Sequence, residues 1–399
     1  MKALLRDRDV RLVVGGQTVS AFGDAALWLV AAIWVQQLTG SVSLAGLSFF
    51  FLALPSVLAP LAGLAVDRLP RRGLLIIGNL ATAAVVLALL LVRDAHDVWL
   101  IFLVMAGYGC SSVLLGAGSS ALLPDVVPAD LLGRANALTR SLREALRIVA
   151  PAFGAGLFAI AGGGAVAIVD AATFVIGAAA LLLLRVEESP RERDARPHLV
   201  REIIAGFRHL AAVRVLRRAT IALAVVLLVV GFLESAGLAL IVEGLHRPAA
   251  FAGATQVAQG IGAVVGGVTA MRLLPRIGES ALTAIGAIAL GAGCAVWVLP
   301  PSLASVFAGA ALIGAALPWL IIGSETLVQL HTPHALLGRA FGAVEVAASV
   351  PQTVSIAVGA AALAIVPYGV LIAIVAVVCA GAGVWLLRGR ERPEAMLAT

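Results

Sequence analysis

The stretch Gly63-Leu-Ala-Val-Asp67-Arg68-Leu-Pro70-Arg71-Arg72-Gly73 compresses one acid and three arginines between two long apolar segments. Hydrocarbon does not accept such a cluster, and the stretch is too short to form a domain. It therefore reads as a tight link between two membrane-spanning helices. Short arginine-rich links stay on the cytoplasmic side of a membrane, which orients both neighbours.

The composition agrees. Of 399 residues, 61% are hydrophobic and 13% charged, and the mean hydropathy is +1.06. A soluble chain of that size has no means of burying so much apolar surface. A helical span takes about 20 apolar residues, so about twelve spans fit here with short links left over. The apolar runs are continuous and lack the period-two alternation of a transmembrane barrel. The net charge of +6 is spread through the links, so it reads as positive-inside bias and not as a nucleic-acid surface. Cys110, Cys294 and Cys379 lie inside apolar runs and read as small core residues, without disulfide or metal-ligand spacing. The basic start, Lys2 to Arg11, precedes a stretch too long for a signal peptide and carrying Gln17, Asp24 and Gln36, so an uncleaved first span is expected.

Spans are expected at residues 11–38, 44–66, 74–92, 98–123, 141–161, 165–184, 219–241, 251–271, 281–299, 303–327, 340–365 and 370–387, with Pro55 and Pro60 inside the second. The one long polar segment, 185–218, holds nine arginines and five acids. Within it, residues 203–210 are expected to form a short amphipathic helix on the inner leaflet. Of 28 Lys and Arg residues, this topology leaves only Arg93 and Arg247 outside, so both termini and the linker are expected to be cytoplasmic. Leu69-Pro70-Arg71 recurs as Leu274-Pro275-Arg276, and Leu131-Leu-Gly-Arg-Ala135 as Leu336-Leu-Gly-Arg-Ala340, both shifted by 205 residues and both at expected inner loops. A shared shift at equivalent links predicts two parallel six-helix halves, 1–184 and 219–399, joined by the linker 185–218.

The opening stretch resembles the loop signature G-x-x-x-D-R-x-G-R-[RK] of the major facilitator superfamily. It matches at Gly63, Asp67, Arg68, Arg71 and Arg72, with Pro70 where the family usually has glycine. The resemblance extends over essentially the whole chain. Three further stretches are similar to the twelve-helix drug and siderophore exporters, the branch with macrolide and enterobactin efflux proteins. They are Leu122-Leu-Pro-Asp125 with Pro128 and Arg134-Ala-Asn-Ala-Leu138, then Ala150-Pro-Ala-Phe-Gly-Ala-Gly156, and Val169-Asp-Ala-Ala-Thr-Phe174. The second resembles the antiporter signature G-P-x-x-G-G, with alanines at 150 and 155 in place of two glycines. The resemblance implies an all-α membrane protein of major facilitator fold, with 12 transmembrane helices in two pseudo-symmetric six-helix bundles. It implies a secondary exporter of amphipathic small molecules driven by protons, with siderophore or metabolite export and lipid flipping as alternatives. A non-transporting membrane sensor is a further alternative, against which the intramembrane acids and the intact Asp67 loop count. In the family, the acid matched by Asp67 approaches the positive end of helix 11 as a conformational latch. The arginines matched by Arg68, Arg71 and Arg72 grip the neighbouring loop and lipid headgroups. Most relatives with clear proton coupling carry an arginine within helix 4; residues 101–122 have none.

A carboxylate in hydrocarbon costs about 2.5 to 3.5 kcal/mol on insertion scales, so each one needs a reason. Gln17, Ser20, Asp24 and Trp28 share one helical stripe in the first span. Phe22-Gly-Asp24-Ala-Ala26 is similar to Phe232-Leu-Glu234-Ser-Ala236 in the seventh. Since family helices 1 and 7 face each other across a cavity, the resemblance implies that Asp24 and Glu234 take up protons or meet a cationic substrate group. The other reading makes them structural acids bonded to a neighbour. Glu144 pairs with Arg140 or Arg147 at the membrane edge, or else Arg147 reaches the cavity. Pro151, Gly154 and Gly156 are expected to serve close packing and bending, and Asp170 resembles a family position with no partner that can be named. Tyr108, Ser112, Gln256, Gln259 and Trp319 are candidate cavity lining. No Walker loop, metal cluster or nucleophile with a base appears, so neither an enzyme nor a cofactor nor a metal is expected. The expected energy source is the proton gradient, and the expected partners are a small-molecule substrate and membrane lipid, not nucleic acid. A monomer in the cytoplasmic membrane completes the expectation.

Overall fold

The computed structural model describes residues 7–58, 70–127, 131–185, 199–333 and 336–388. Gly63, Asp67 and Arg68 lie outside them, as do the side chains of Arg140 and Glu144. The elements are α1 (Arg8–Thr39), α2 (Val42–Ala53), α3 (Arg71–Leu87), α4 (Val98–Val126), α5 (Leu132–Leu182), α6 (Leu199–Ala212), α7 (Arg214–Val230), α8 (Phe232–Ala239), α9 (Ala252–Ile277), α10 (Glu279–Val298), α11 (Leu303–Leu330), α12 (Leu337–Ala362) and α13 (Tyr368–Arg388). Short 3-10 and π turns join some of them, and the described residues contain no strand.

Among the described residues, ten helical stretches are long and apolar enough to cross a membrane. The longest helix, α5, holds two crossings, because Gly162 at φ 76° leaves the helical region and folds the chain back. A shorter apolar stretch, Val42–Val57, lies where the second span is expected. The described residues thus have the expected all-helical, multi-span architecture. Two compact units make up the chain: Met1–Ala195 with Pro248–Val257, and Arg196–Arg247 with Ala258–Thr399.

Local chemistry sets the ends of the helices. Asp7 accepts from the amides of Asp9 and Val10 to start α1, and Gly40 at φ 71° ends it. Asp94 and Asp97 accept amide hydrogen bonds from His96 and Arg93 and close the turn into α4. Ser302 and Ser305 exchange side-chain and backbone bonds to open α11. Arg72 donates from Nε to the Leu181 carbonyl and from Nη2 to that of Leu182, both at 2.9 Å. It thereby adds donors at the end of α5, where the last carbonyls run short of intrahelical partners.

Some expected boundaries move. The second span narrows to a 3-10 turn over Leu54–Leu58, since Pro55 has no amide to continue the helix; the expected remainder of that span lies outside the described residues. Leu274-Pro275-Arg276, expected as a loop, is the last turn of α9, which runs on until Gly278 at φ 77°. The repeated pentapeptide likewise begins helices instead of forming loops: Leu131 and Leu336 precede α5 and α12 with nearly the same backbone angles. The amphipathic helix expected over 203–210 is longer, Leu199–Ala212, and packs on α12. Its Leu210 is buried with Leu216, Leu327, Ala340 and Ala343, while Ile204 and Phe207 stay exposed.

The first unit has an apolar core of Val10, Val13 and Val14 with Leu75, Leu122 and Leu181. In the second, Leu290, Ile313, Leu371 and Ile372 gather with the free thiols Cys294 and Cys379. Cys110 is exposed, contrary to the expectation of a core position. Ile160, Ile365 and Val377 are also exposed, at 88%, 86% and 73%; an apolar exterior of this kind has lipid as its solvent.

Helices approach closely where side chains vanish. A Cβ built on Gly154 of α5 would lie 2.5 Å from the Ala26 carbonyl oxygen of α1, whereas one on Gly156 meets nothing within 4 Å. Gly154→Val is expected to destabilise the protein by about 1 to 3 kcal/mol through overpacking. Gly156→Ala is expected to be neutral, or stabilising by up to about 1 kcal/mol. Thermal unfolding of the two variants in detergent checks the contrast.

Candidate functional site

The polar stripe of α1 leads to the site. Gln17, Ser20, Asp24 and Trp28 are all half-buried, and of these Asp24 has a hydrogen-bond partner on another helix. Tyr108 of α4 donates its hydroxyl to Asp24 Oδ1. The Tyr108 ring is buried and meets Phe174 of α5 edge-on at 5.9 Å. The expected acid and one expected lining residue thus form a hydrogen-bonded pair.

Behind that pair stands Asp170, which sequence alone left without a partner. It is fully buried on the second arm of α5. Its Oδ1 lies 3.5 Å from the Thr173 hydroxyl, which itself donates to the Asp170 carbonyl at 2.7 Å. Its Oδ2 is buried with no hydrogen-bond partner. Gly23 makes the room: a Cβ there would run into the Asp170 and Thr173 side chains and come within 3.2 Å of the Asp170 Cα. Asp24 directly follows Gly23, so the two carboxylates share one neighbourhood between α1 and α5. The signal available in sequence was the neighbouring pair Gly23-Asp24 together with Asp170-x-x-Thr173-Phe174. Spacing along the chain does not reveal that the glycine of one seats the acid of the other.

Aromatic side chains border the same stretch of α1. Phe22 meets Phe153 with ring centroids 5.1 Å apart, and Trp28 meets Phe49 at 5.2 Å, both pairs tilted. Pro151 is buried within α5, where no break occurs; the departure from helical geometry is at Gly162. Gly154 packs on α1 as expected, but Gly156 faces open space and has no packing role. Ser112 is exposed and returns its hydroxyl to the Gly109 carbonyl at 2.9 Å. Arg147 is exposed, and Gln256, in the stretch grouped with the first unit, is half-buried.

In the second unit Glu234 is half-buried on α8. Next to it Ser235 is fully buried with an unpartnered hydroxyl, as is Ser355 of α12. Gly231 brings these helices together, since a Cβ there would lie 2.7 Å from both the Ile356 amide and the Ser355 Cβ. Gln259 is half-buried, and its Cα lies 2.9 Å from where a Cβ on Gly314 would be. Trp319 is tied down: its indole N–H donates to the Gly266 carbonyl and the Thr269 hydroxyl, each at 2.9 Å. That N–H serves the α9–α11 packing and is not turned to a ligand.

Residues 13–242 match the family model described as Major Facilitator Superfamily. The chain belongs to that superfamily. It is 25% identical over 378 residues to the uncharacterized MFS-type transporter YfiS of Bacillus subtilis (strain 168), covering 90% of this chain and 88% of that one. Macrolide efflux protein A of Streptococcus pyogenes is 26% identical over 195 residues, 48% of each chain. Among solved structures, a bacterial homologue of the iron transporter ferroportin superposes over 97% of this chain and 100% of its own, with a TM-score of 0.72 at 18% identity, which speaks to the fold alone. The protein is therefore a multi-pass membrane transporter of the superfamily and not an enzyme.

Of the superfamily loop, Arg71 and Arg72 are described. Arg71 pairs with Asp125 at the end of α4 at 2.5 Å, with 18% and 10% of the two side chains exposed. Arg72 bonds to α5 carbonyls, so both reach neighbouring segments of their own unit. Charge-assisted bonds of this type contribute about 1.5 to 3 kcal/mol. A thermal-unfolding double-mutant cycle of Arg71→Gln and Asp125→Asn is expected to return a coupling energy in that range. Strict additivity of the two losses would remove the pair from the stability of the unit.

Proposed function

We propose that this superfamily member is a proton-coupled exporter of amphipathic small molecules, working by alternating access of its two units. The observation that carries the reading is the acid pair of the first unit, Asp24 bonded to Tyr108 with Asp170 sealed behind it. Like charges repel strongly in hydrocarbon, and a proton, or a cationic group of the substrate, relieves the same repulsion. Proton and substrate then compete for one place, which is the condition for antiport. Asp24 is the half-buried member, so it exchanges with the outside while Asp170 does not.

When Asp24 is ionised, Tyr108 donates to it; once protonated, the carboxyl donates in turn and the phenol oxygen accepts. α4 has no arginine over 101–122 to supply a counter-charge, so Tyr108 is the group that meets the Asp24 carboxylate. Glu234 is the corresponding acid of the second unit in this reading. The aromatic rings beside Asp24 suit an apolar body attached to a polar or cationic group, and likeness to a macrolide efflux protein supports outward drug transport. The arginine distribution supports cytoplasmic termini and a cytoplasmic-membrane location. The chain works as a monomer on the proton gradient, without a cofactor.

Reconstituted liposomes test the coupling. Addition of a macrolide or a cationic dye is expected to drive proton movement by the wild type. Asp24→Asn is expected to lower it by tenfold or more, in keeping with the roughly 10²–10⁴-fold contribution of a positioned proton-transfer group. Tyr108→Phe and Glu234→Gln are expected to have smaller effects. Unchanged coupling in Asp24→Asn removes the acid from the mechanism, and substrate flux without proton flux replaces antiport by uniport. The latch is tested separately: Asp67→Asn is expected to abolish transport with normal membrane insertion, and normal transport by that variant would sink the latch.

A further inference from the structure

The second unit carries a surface feature unconnected with the acids. α7 opens with Arg214-Val-Leu-Arg217-Arg218 and is apolar from Ile221 onward; α13 finishes Trp385-Leu-Leu-Arg388. The two helices lie side by side with these arginine-bearing ends together. Arg218 places its guanidinium 4.2 Å from the centre of the Trp385 ring and donates Nη2 to the Trp385 carbonyl. Its Nε is buried without a partner. Among the described residues no carboxylate pairs with Arg218. A cation held on an aromatic face thus stands at the arginine-bearing ends of the two helices.

One helical turn from Arg218 a groove of about 310 Å³ begins, lined by Ile221, Ala222 and Val225 from α7 and by Gly381, Ala382 and Trp385 from α13. Positions 221, 222 and 225 follow Arg218 at spacings of three, four and seven, so they continue along its face. Ile221, Val225 and Trp385 are exposed and form the walls, while Ala222 and Ala382 are buried and form the floor. Gly381 keeps the groove open, since a Cβ there would meet nothing within 4 Å. Arg217 and Arg388 are exposed at the same end. The feature is thus an apolar trough with a cationic mouth.

We infer that this groove binds an anionic phospholipid of the surrounding bilayer, one acyl chain lying between α7 and α13 and the phosphate held by Arg218 and Arg388. A guanidinium matches phosphate with paired, charge-assisted hydrogen bonds, and basic pockets between membrane helices are suited to anionic headgroups. The trough takes only hydrocarbon, which favours a lipid over free phosphate. Charge complementarity favours an anionic lipid over a zwitterionic one. The inference concerns one unit and does not depend on the direction or coupling of transport.

Native mass spectrometry of the full-length protein in mild detergent, titrated with phosphatidylglycerol or phosphatidylcholine, tests it. Wild type is expected to retain phosphatidylglycerol about fivefold better than phosphatidylcholine, the preference that one basic contact near a membrane surface supplies. Arg218→Gln is expected to lower that preference by about twofold or more, and the double variant Arg218→Gln with Arg388→Gln to abolish it. Gly381→Leu fills the trough from its open side and is expected to lower retention of both lipids. Equal retention of the two lipids by the wild type overturns the inference, as does an unchanged preference in Arg218→Gln. Should Arg218→Gln fail to fold, as judged by size-exclusion chromatography, Gly381→Leu decides: retention equal to wild type overturns the inference, and loss of both lipids upholds the groove as the site.

Discussion

Hydrocarbon offers no hydrogen-bond partner to a peptide group, so every carbonyl and amide of a membrane-crossing segment has to find one inside the protein. Long helices satisfy most of them without help, and the places where helices stop carry the rest of the design. Gly40, Gly162 and Gly278 turn the chain through positive φ at points where a helix ends or breaks. Asp7, Asp94, Asp97 and Ser302 satisfy amides at starts and turns. Arg72 gives its donors to the carbonyls at the end of α5. An arginine that a loop motif suggests as a lipid or loop contact is here part of a helix cap.

The same scarcity of partners explains why helices press together through small residues. In lipid there is no hydrophobic drive for helices to associate, so close contact has to supply it. Gly154 against Ala26, Gly231 against Ser355 and Gly314 against Gln259 are points of this kind. Gly23 does more than admit a helix: it admits a carboxylate. Because Asp170 occupies the space beside Gly23, two acids and a tyrosine from three helices share one neighbourhood of the first unit. Packing and chemistry coincide at that residue, and a side chain at position 23 would alter both.

Internal duplication leaves its mark at helix starts. Leu131 and Leu336 lead into α5 and α12 with matching backbone angles, as repeated units should. Around Leu-Pro-Arg the copies differ: Pro70 precedes α3, whereas Pro275 lies within the last turn of α9. A proline fits the first turn of a helix without loss, and near the last turn it removes only one bond. Similar sequence therefore serves a beginning in one copy and an end in the other.

Hydropathy, the arginine-rich links and the 205-residue repeat were enough to establish a membrane protein of twelve helical crossings in two repeated halves. Each is a one-dimensional property: an apolar run of sufficient length has no alternative but to span, whatever it packs against. The stripe holding Asp24 was legible for the same reason, since helical periodicity follows from the sequence itself. Spacing did not disclose that Tyr108 reaches Asp24, that Gly23 seats Asp170, or that the Trp319 indole is tied to Gly266 and Thr269. Those pairings join residues dozens of positions apart, and they depend on how closely neighbouring helices approach. That distance is decided by the joint packing of many small residues, which is a property of the tertiary structure alone.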